Sequence, residues 1–188
     1  MAWHHIIPCA VLIAVWNRLV DQHLGTAIPE ARTAIAQYLR LCDGELPNVD
    51  QLVDRMRVQN TTQRRAGHNP LRALDDGEVL LLQSAAVWPA WNVVQGPDRR
   101  SDDPHDRYLD RFTNGLTAEE ARRMRAVEML FEQLQRFLDS GMAPGPAGLR
   151  GLAVAASVAR AGIGRATPIP YRADMWVTDR AGLWRKNR

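Results

Sequence analysis

The stretch that most limits how this chain can fold is Thr117-Ala118-Glu119-Glu120, together with the amphipathic segment behind it. A threonine three residues before a glutamate lets each side chain satisfy a backbone N–H that the first helical turn leaves without a partner. Leu116 and Ala121 are placed to staple the cap. Beyond it Met124, Val127, Leu130, Phe131, Leu134 and Leu138 recur at helical spacing, and Ser140-Gly141 stops the run. Residues 117–140 are therefore expected as one long helix whose apolar stripe must be covered by other helices.

The chain supplies them. Val11, Leu12, Val15, Leu19 and Val20 share a helical face, with Arg18 and Asp21 opposite and Gly25 at the end. Pro29 opens a second helix with Ala31, Ile35, Tyr38, Leu39 and Cys42 inward, and Asp43-Gly44 closes it. A third behind Pro47 carries Val49, Leu52, Val53 and Met56; residues 59–70 read as a polar loop; Asp75-Asp76-Gly77-Glu78 caps a short apolar helix over 79–87. Residues 147–163 read as helix in spite of Gly148, Gly151 and Gly162. Strand character is left to residues 1–8, to a short segment around Asn92, and to a hairpin in 167–188 whose turn is Asp179-Arg180-Ala181. The expectation is a single domain over 1–188, α+β and mainly α.

Composition bounds the partners. A hydrophobic fraction of 46% and a net charge of +3 describe a globular protein. Lys186 is the only lysine, so the basic character comes from arginine, whose planar fork suits phosphate and permits nucleic-acid binding without demanding it. Cys9 and Cys42 have no metal-type spacing and make no disulfide framework, which fits a reducing compartment. The apolar run from Ile6 to Trp16 is too short to span a bilayer and lacks signal-peptide flanks. A soluble cytoplasmic protein is expected, or one delivered by a route without a cleaved signal, and no membrane partner. Trp88, Trp91 and Trp176 read as core residues rather than stacking platforms.

The chemistry-bearing residues lie at two distant places. The chain begins Met1-Ala2-Trp3-His4-His5-Ile6-Ile7-Pro8, and in an extended segment His4 and His5 point to opposite faces. About ninety residues on comes Asn92-Val93-Val94-Gln95-Gly96-Pro97, then an Arg/Asp-rich loop with Asp102 and Asp103, then Pro104-His105 where a helix is expected to open. Asp103, just before Pro104, is also a natural N-cap. His68-Asn69 is a rival for the middle of this pattern, but no histidine follows it within thirty residues.

A histidine pair, an asparagine and a histidine at a helix start, in that order, resemble the His-Asn-His (HNH) endonucleases, in the branch beginning His-His-Ile-Ile-Pro. The resemblance covers residues 2–9 and 88–112, and implies a ββα-metal core of β-hairpin plus helix. Residues 10–87 would then be a large helical insertion and 88–112 the second half of the metal motif. It implies His5 as general base and His4 as metal ligand, or the reverse. Asn92 would orient the base or tie the hairpin to the helix, and His105 would be a second ligand. The family often places a further ligand one turn later, but position 109 is leucine here, which leaves Asp102, Asp103 or Asp106 to complete the site. Such donors suit one divalent ion, whether Zn²⁺, Mg²⁺, Mn²⁺ or Ni²⁺. Arg99, Arg100 and Arg107 are candidates to hold substrate phosphate, each against the alternative of pairing with a neighbouring aspartate. The implied partners are a nucleic-acid substrate and, encoded elsewhere, an inhibitor or immunity protein. Two other readings stand beside this one: a metal enzyme acting on something other than nucleic acid, and a non-catalytic helical interaction protein.

Overall fold

A computed structural model describes residues 1–26, 29–42, 86, 88–104, 108–140, 145–164 and 167–187. In chain order the elements are β1 (Ala2–His5), α1 (Cys9–Thr26), α2 (Pro29–Cys42), a 3-10 turn (Ala90–Asn92), β2 (Val93–Gly96), α3 (Ala118–Asp139), α4 (Pro146–Ile163), a second 3-10 turn (Ala173–Met175), β3 (Trp176–Thr178) and β4 (Trp184–Lys186). The expected third helix behind Pro47, the polar loop with His68-Asn69 and the capping box at 75–78 lie outside the described residues. The described architecture is mainly helical, with two small two-stranded antiparallel sheets.

The helix with the capping box forms as its sequence dictates. Glu120 N–H donates to Thr117 Oγ1 at 3.2 Å, and Thr117 N–H donates to Glu120 Oε2 at 2.8 Å. Met124, Val127, Leu130, Leu134 and Phe137 are buried along the stripe, while Phe131 and Leu138 pack at its margin. At the other end of α3 the orphan carbonyls of Phe137 and Leu138 both accept from the Arg18 guanidinium, a cation from α1 at the negative pole of the helix. Arg18 therefore faces a helix end rather than water, which is why its position on the polar side of α1 gave no hint of the contact.

Helix α4 packs between α2 and α3, and α1 lies against α2 and α3. The glycines of α4 have a packing purpose in at least one place. A Cβ on Gly162 would lie 2.7 Å from the Ala126 Cβ, so only glycine allows α3 and α4 to approach this closely there. The apolar surfaces join in one cluster that runs from Ile6 and Ile7 through the four helices to Ile169, Met175 and Trp176.

The sheets flank this bundle. β1 pairs antiparallel with β2 in the register Ala2↔Gly96, Trp3↔Gln95, His4↔Val94, His5↔Val93. The far edge of β2 is covered by Ile169, whose N–H donates to Val93 O and whose O accepts from Gln95 N, both at 2.9 Å. This third chain segment was not anticipated, because Pro168 and Pro170 on either side of Ile169 argue against a strand. The C-terminal hairpin forms where expected: β3 pairs with β4, and Asp179 Oδ1 accepts from Ala181 N and Leu183 N to shape the turn.

Glu120 does double duty, accepting from Arg172 at 2.6 Å as well as closing the cap. Burial alone would raise its carboxyl, but the hydrogen bonds from Arg172 and Thr117 outweigh burial and hold it below its ordinary 4.5. A depressed carboxyl contributes stability above its unfolded value and loses it as the pH falls through the folded one. Glu120→Ala is expected to cost about 2 kcal/mol at neutral pH. In chemical denaturation the gap to the parent should narrow as the pH drops below 4.5.

Candidate functional site

Asn92 sets the site's foundation. It is fully buried, its Oδ1 accepts from Ile7 N at 2.6 Å and its Nδ2 donates to Ile7 O at 2.8 Å. Its own carbonyl accepts from Ile6 N at 2.9 Å. The amide thus continues the β1–β2 ladder past His5 and fixes the backbone just behind the histidine pair. Asn92 touches neither imidazole through a hydrogen bond among the described residues, and acts on them through the chain that carries them.

His4 and His5 diverge across the strand as alternation requires. His4 faces the C-terminal hairpin: its ring lies 5.9 Å from that of Trp176, and its Nε2 is 2.8 Å from Pro97 O. A carbonyl oxygen only accepts, so Nε2 carries the proton, and in the neutral ring the Nδ1 lone pair is left open. That Nδ1 lies 4.0 Å from Asp103 Oδ1. A lone pair facing a carboxylate needs a proton, a cation or a bridging water between them. Gly96 is needed for this geometry, since a Cβ there would lie 2.4 Å from Trp176 Cζ2 and 2.9 Å from His4 Cδ2.

His5 turns to the other face, its ring 4.1 Å from that of Trp88 in an edge contact. Its Nε2 is buried and has no hydrogen-bond partner among the described residues. Burial, and then the neighbouring charge of His4, lower its pKa from the ordinary 6.5, so the ring is neutral at physiological pH. Trp91 and Trp176 are buried as expected, but Trp88 is 57% exposed. The expectation of a core role fails for Trp88 alone: Ala86, Pro89 and Trp91 around it are buried, while its own ring lies against His5 at the surface.

The Arg/Asp loop is organised by a charge cluster. Arg100 is buried and donates to Asp110 Oδ2 at 2.6 Å and Oδ1 at 3.1 Å, and to Asp102 Oδ1 at 3.2 Å. It also lies 3.4 Å from Asp103 Oδ1, and its guanidinium stacks 4.9 Å from the Trp176 ring centre. Burial works against its charge, yet Asp110, Asp102 and Asp103 prevail and raise its pKa. Lys186 bonds Asp110 from the other side, while its backbone N–H donates to Asp102 Oδ2 at 3.0 Å. Asp102 thus has both oxygens engaged, and Arg100 has its fork turned inward, away from any phosphate. Arg99 is exposed beside them.

Of the residues singled out in the sequence, the structure therefore brings together His4, His5, Asn92, Arg100, Asp102 and Asp103. His105, Asp106 and Arg107 lie outside the described residues. The helix expected near Pro104 does not run on beyond them, because residues 108–117 are irregular up to the Thr117 cap. Among the described residues no group of three or more histidine, cysteine or acidic side chains is placed to hold a metal ion. What fits such an ion is the pair His4 and Asp103, with the His4 tautomer fixed by a backbone carbonyl as metal-ligating imidazoles usually are. Asp110 and Lys186 were missed as partners; the one signal was a solitary lysine in a chain that otherwise uses arginine.

Neither a family model, nor a curated protein, nor a solved structure matches this chain. Among the described residues no helix is long and apolar enough to cross a membrane.

Two substitutions test the foundation. Asn92→Ala leaves both polar groups of the buried Ile7 backbone without partners and should lower unfolding free energy by about 3 kcal/mol. Arg100→Met leaves Asp110 buried beside one cation instead of two and should cost about 3–5 kcal/mol. Urea denaturation followed by tryptophan fluorescence measures both, and an unchanged midpoint in either would remove that residue from the scaffold.

Proposed function

We propose that this chain is a metal-dependent endonuclease of the His-Asn-His type, hydrolysing phosphodiester bonds of DNA or RNA. The observation that carries the reading is the convergence of distant residues. The register His4↔Val94 and His5↔Val93 pairs the histidine strand with the strand that follows Asn92, and His4 Nδ1 comes to 4.0 Å from Asp103. An accidental surface pair of histidines has no reason to meet Asp103 and the strand after Asn92 across about ninety residues.

The roles follow from the two environments. His5, neutral and with a buried Nε2 that lacks a partner, is suited to take the proton of an attacking water. His4 and Asp103 would hold a divalent cation, with His105 as a further ligand. Such an ion would supply positive charge toward the phosphate and the leaving oxygen. Asn92 is a positioning residue, as are Arg100 and Asp102, which give up their expected contacts with phosphate and metal to the charge cluster. Arg99 and Arg107 remain for the phosphate. An inhibitor protein encoded elsewhere belongs to this reading as a proposal.

A second reading, a helical interaction protein, is favoured by one feature. An apolar groove of about 450 Å³ runs between α3 and α4, with Met129, Val154 and Val158 exposed along it.

His5→Ala should lower cleavage of plasmid DNA or RNA, with Mg²⁺, Mn²⁺ or Zn²⁺ added, by about 10²–10⁴-fold while the thermal melt stays close to that of the parent. Parental rates in this variant would remove His5 as the base. A protein that neither retains metal on dialysis nor cleaves with any of these ions belongs to the second reading.

A further inference from the structure

Trp3 and Trp88 are both large aromatic side chains left largely in solvent, at 55% and 57% exposure. They are not scattered. Trp3 is two residues from His5 on β1, so the two side chains leave the strand on the same face, about 7 Å apart along it. Trp88 meets the side chain of His5, its ring 4.1 Å from the imidazole. The opposite face, with His4, is packed against Trp176 and the hairpin. Tyr108 and Trp184 are exposed too but make no ring contact with either histidine, while the other aromatic rings about the histidines, Trp91, Phe112 and Trp176, are buried.

Burial of an indole is strongly favourable, and its exposure beside a partnerless imidazole nitrogen points to a ligand that supplies the missing surface. A flat aromatic ligand satisfies two indole faces best. In a duplex the faces of the bases are covered by their neighbours, so only an unpaired base can stack on a protein ring. We propose that Trp3 and Trp88 form a stacking platform for unpaired nucleobases on either side of His5, and that the preferred ligand is a single strand or a locally opened one. The proposal rests on the endonuclease reading for its choice of ligand. The exposed Arg99, on the chain that continues from β2, provides a cation for the backbone of such a strand.

The platform is tested by binding in the presence of a chelator, so that cleavage plays no part. The full chain is titrated into labelled oligothymidine, into a duplex of the same length, and into a strand of abasic residues that keeps the phosphates and lacks the bases. Expected are tighter binding of oligothymidine than of either control and quenching of tryptophan emission. Trp88→Ala should weaken oligothymidine binding about tenfold and leave the abasic strand unaffected, whereas Trp88→Phe should retain most of the affinity. Trp3→Ala, on an exposed strand position, gives a second measurement should Trp88→Ala disturb His5. Equal affinity for the three ligands, or parental affinity in both alanine variants, overturns the platform. Aromatic-dependent binding without cleavage under any metal supports the platform and removes the nuclease reading. Cleavage that depends on His5 but not on either tryptophan removes the platform alone.

Discussion

The buried ion cluster of Arg100, Asp102, Asp110 and Lys186 is the interaction on which the remainder of the site depends. Two cations and two carboxylates balance formally, as burial requires, because an unmatched charge in this environment costs several kcal/mol. What the cluster joins matters more than its net energy. Asp110 N–H donates to Ile6 O, its carboxylate receives Arg100 and Lys186, and Arg100 stacks on Trp176. Four segments, from the first strand, the acidic loop, the approach to α3 and the last strand, are thereby held in one place. Removing any member leaves its partners buried with only part of their compensation.

This arrangement gives His4 and His5 different lives though they are neighbours in sequence. The His4 face is closed, with its tautomer set by Pro97 O and its open nitrogen turned to a carboxylate that Arg100 also approaches. The His5 face is aromatic and open to solvent at Trp88. One strand thus separates a polar, charge-rich compartment from an apolar, accessible one, and the pleat alone does the sorting.

Much of the helical scaffold was legible in the sequence because local rules decide it. The Thr117–Glu120 cap, Pro29 in the first turn of α2 and the stripe of α3 all act within a few residues, and the structure follows them. The hairpin around Asp179 was legible for the same reason. The site was legible only in part. Residue types and their order singled out His4, His5, Asn92 and Asp103 and offered a neighbouring aspartate as one partner for Arg100, but not the cluster that Arg100 and Asp102 join. Their partners, Asp110 and Lys186, are remote or unremarkable in sequence, and an ion pair between loops leaves no periodicity to read. Arg18 at the end of α3 and Ile169 beside β2 escaped notice for that reason too: both are long-range contacts made by residues whose local pattern suggests something else.

The reach of these contacts along the chain has a consequence for biosynthesis. His4 needs Gly96 and Asp103 beside it, and Asp103's companions need Lys186, so the neighbourhood closes one set of loops of about ninety residues and, onto the last strand, another of about eighty. Closing such loops is entropically unfavourable and slow relative to forming helices. The helices can form while the polypeptide is still emerging from the ribosome, whereas the histidine compartment has to wait for residue 186. Translation order itself therefore delays the closing of this compartment until nearly every scaffold element is already in existence.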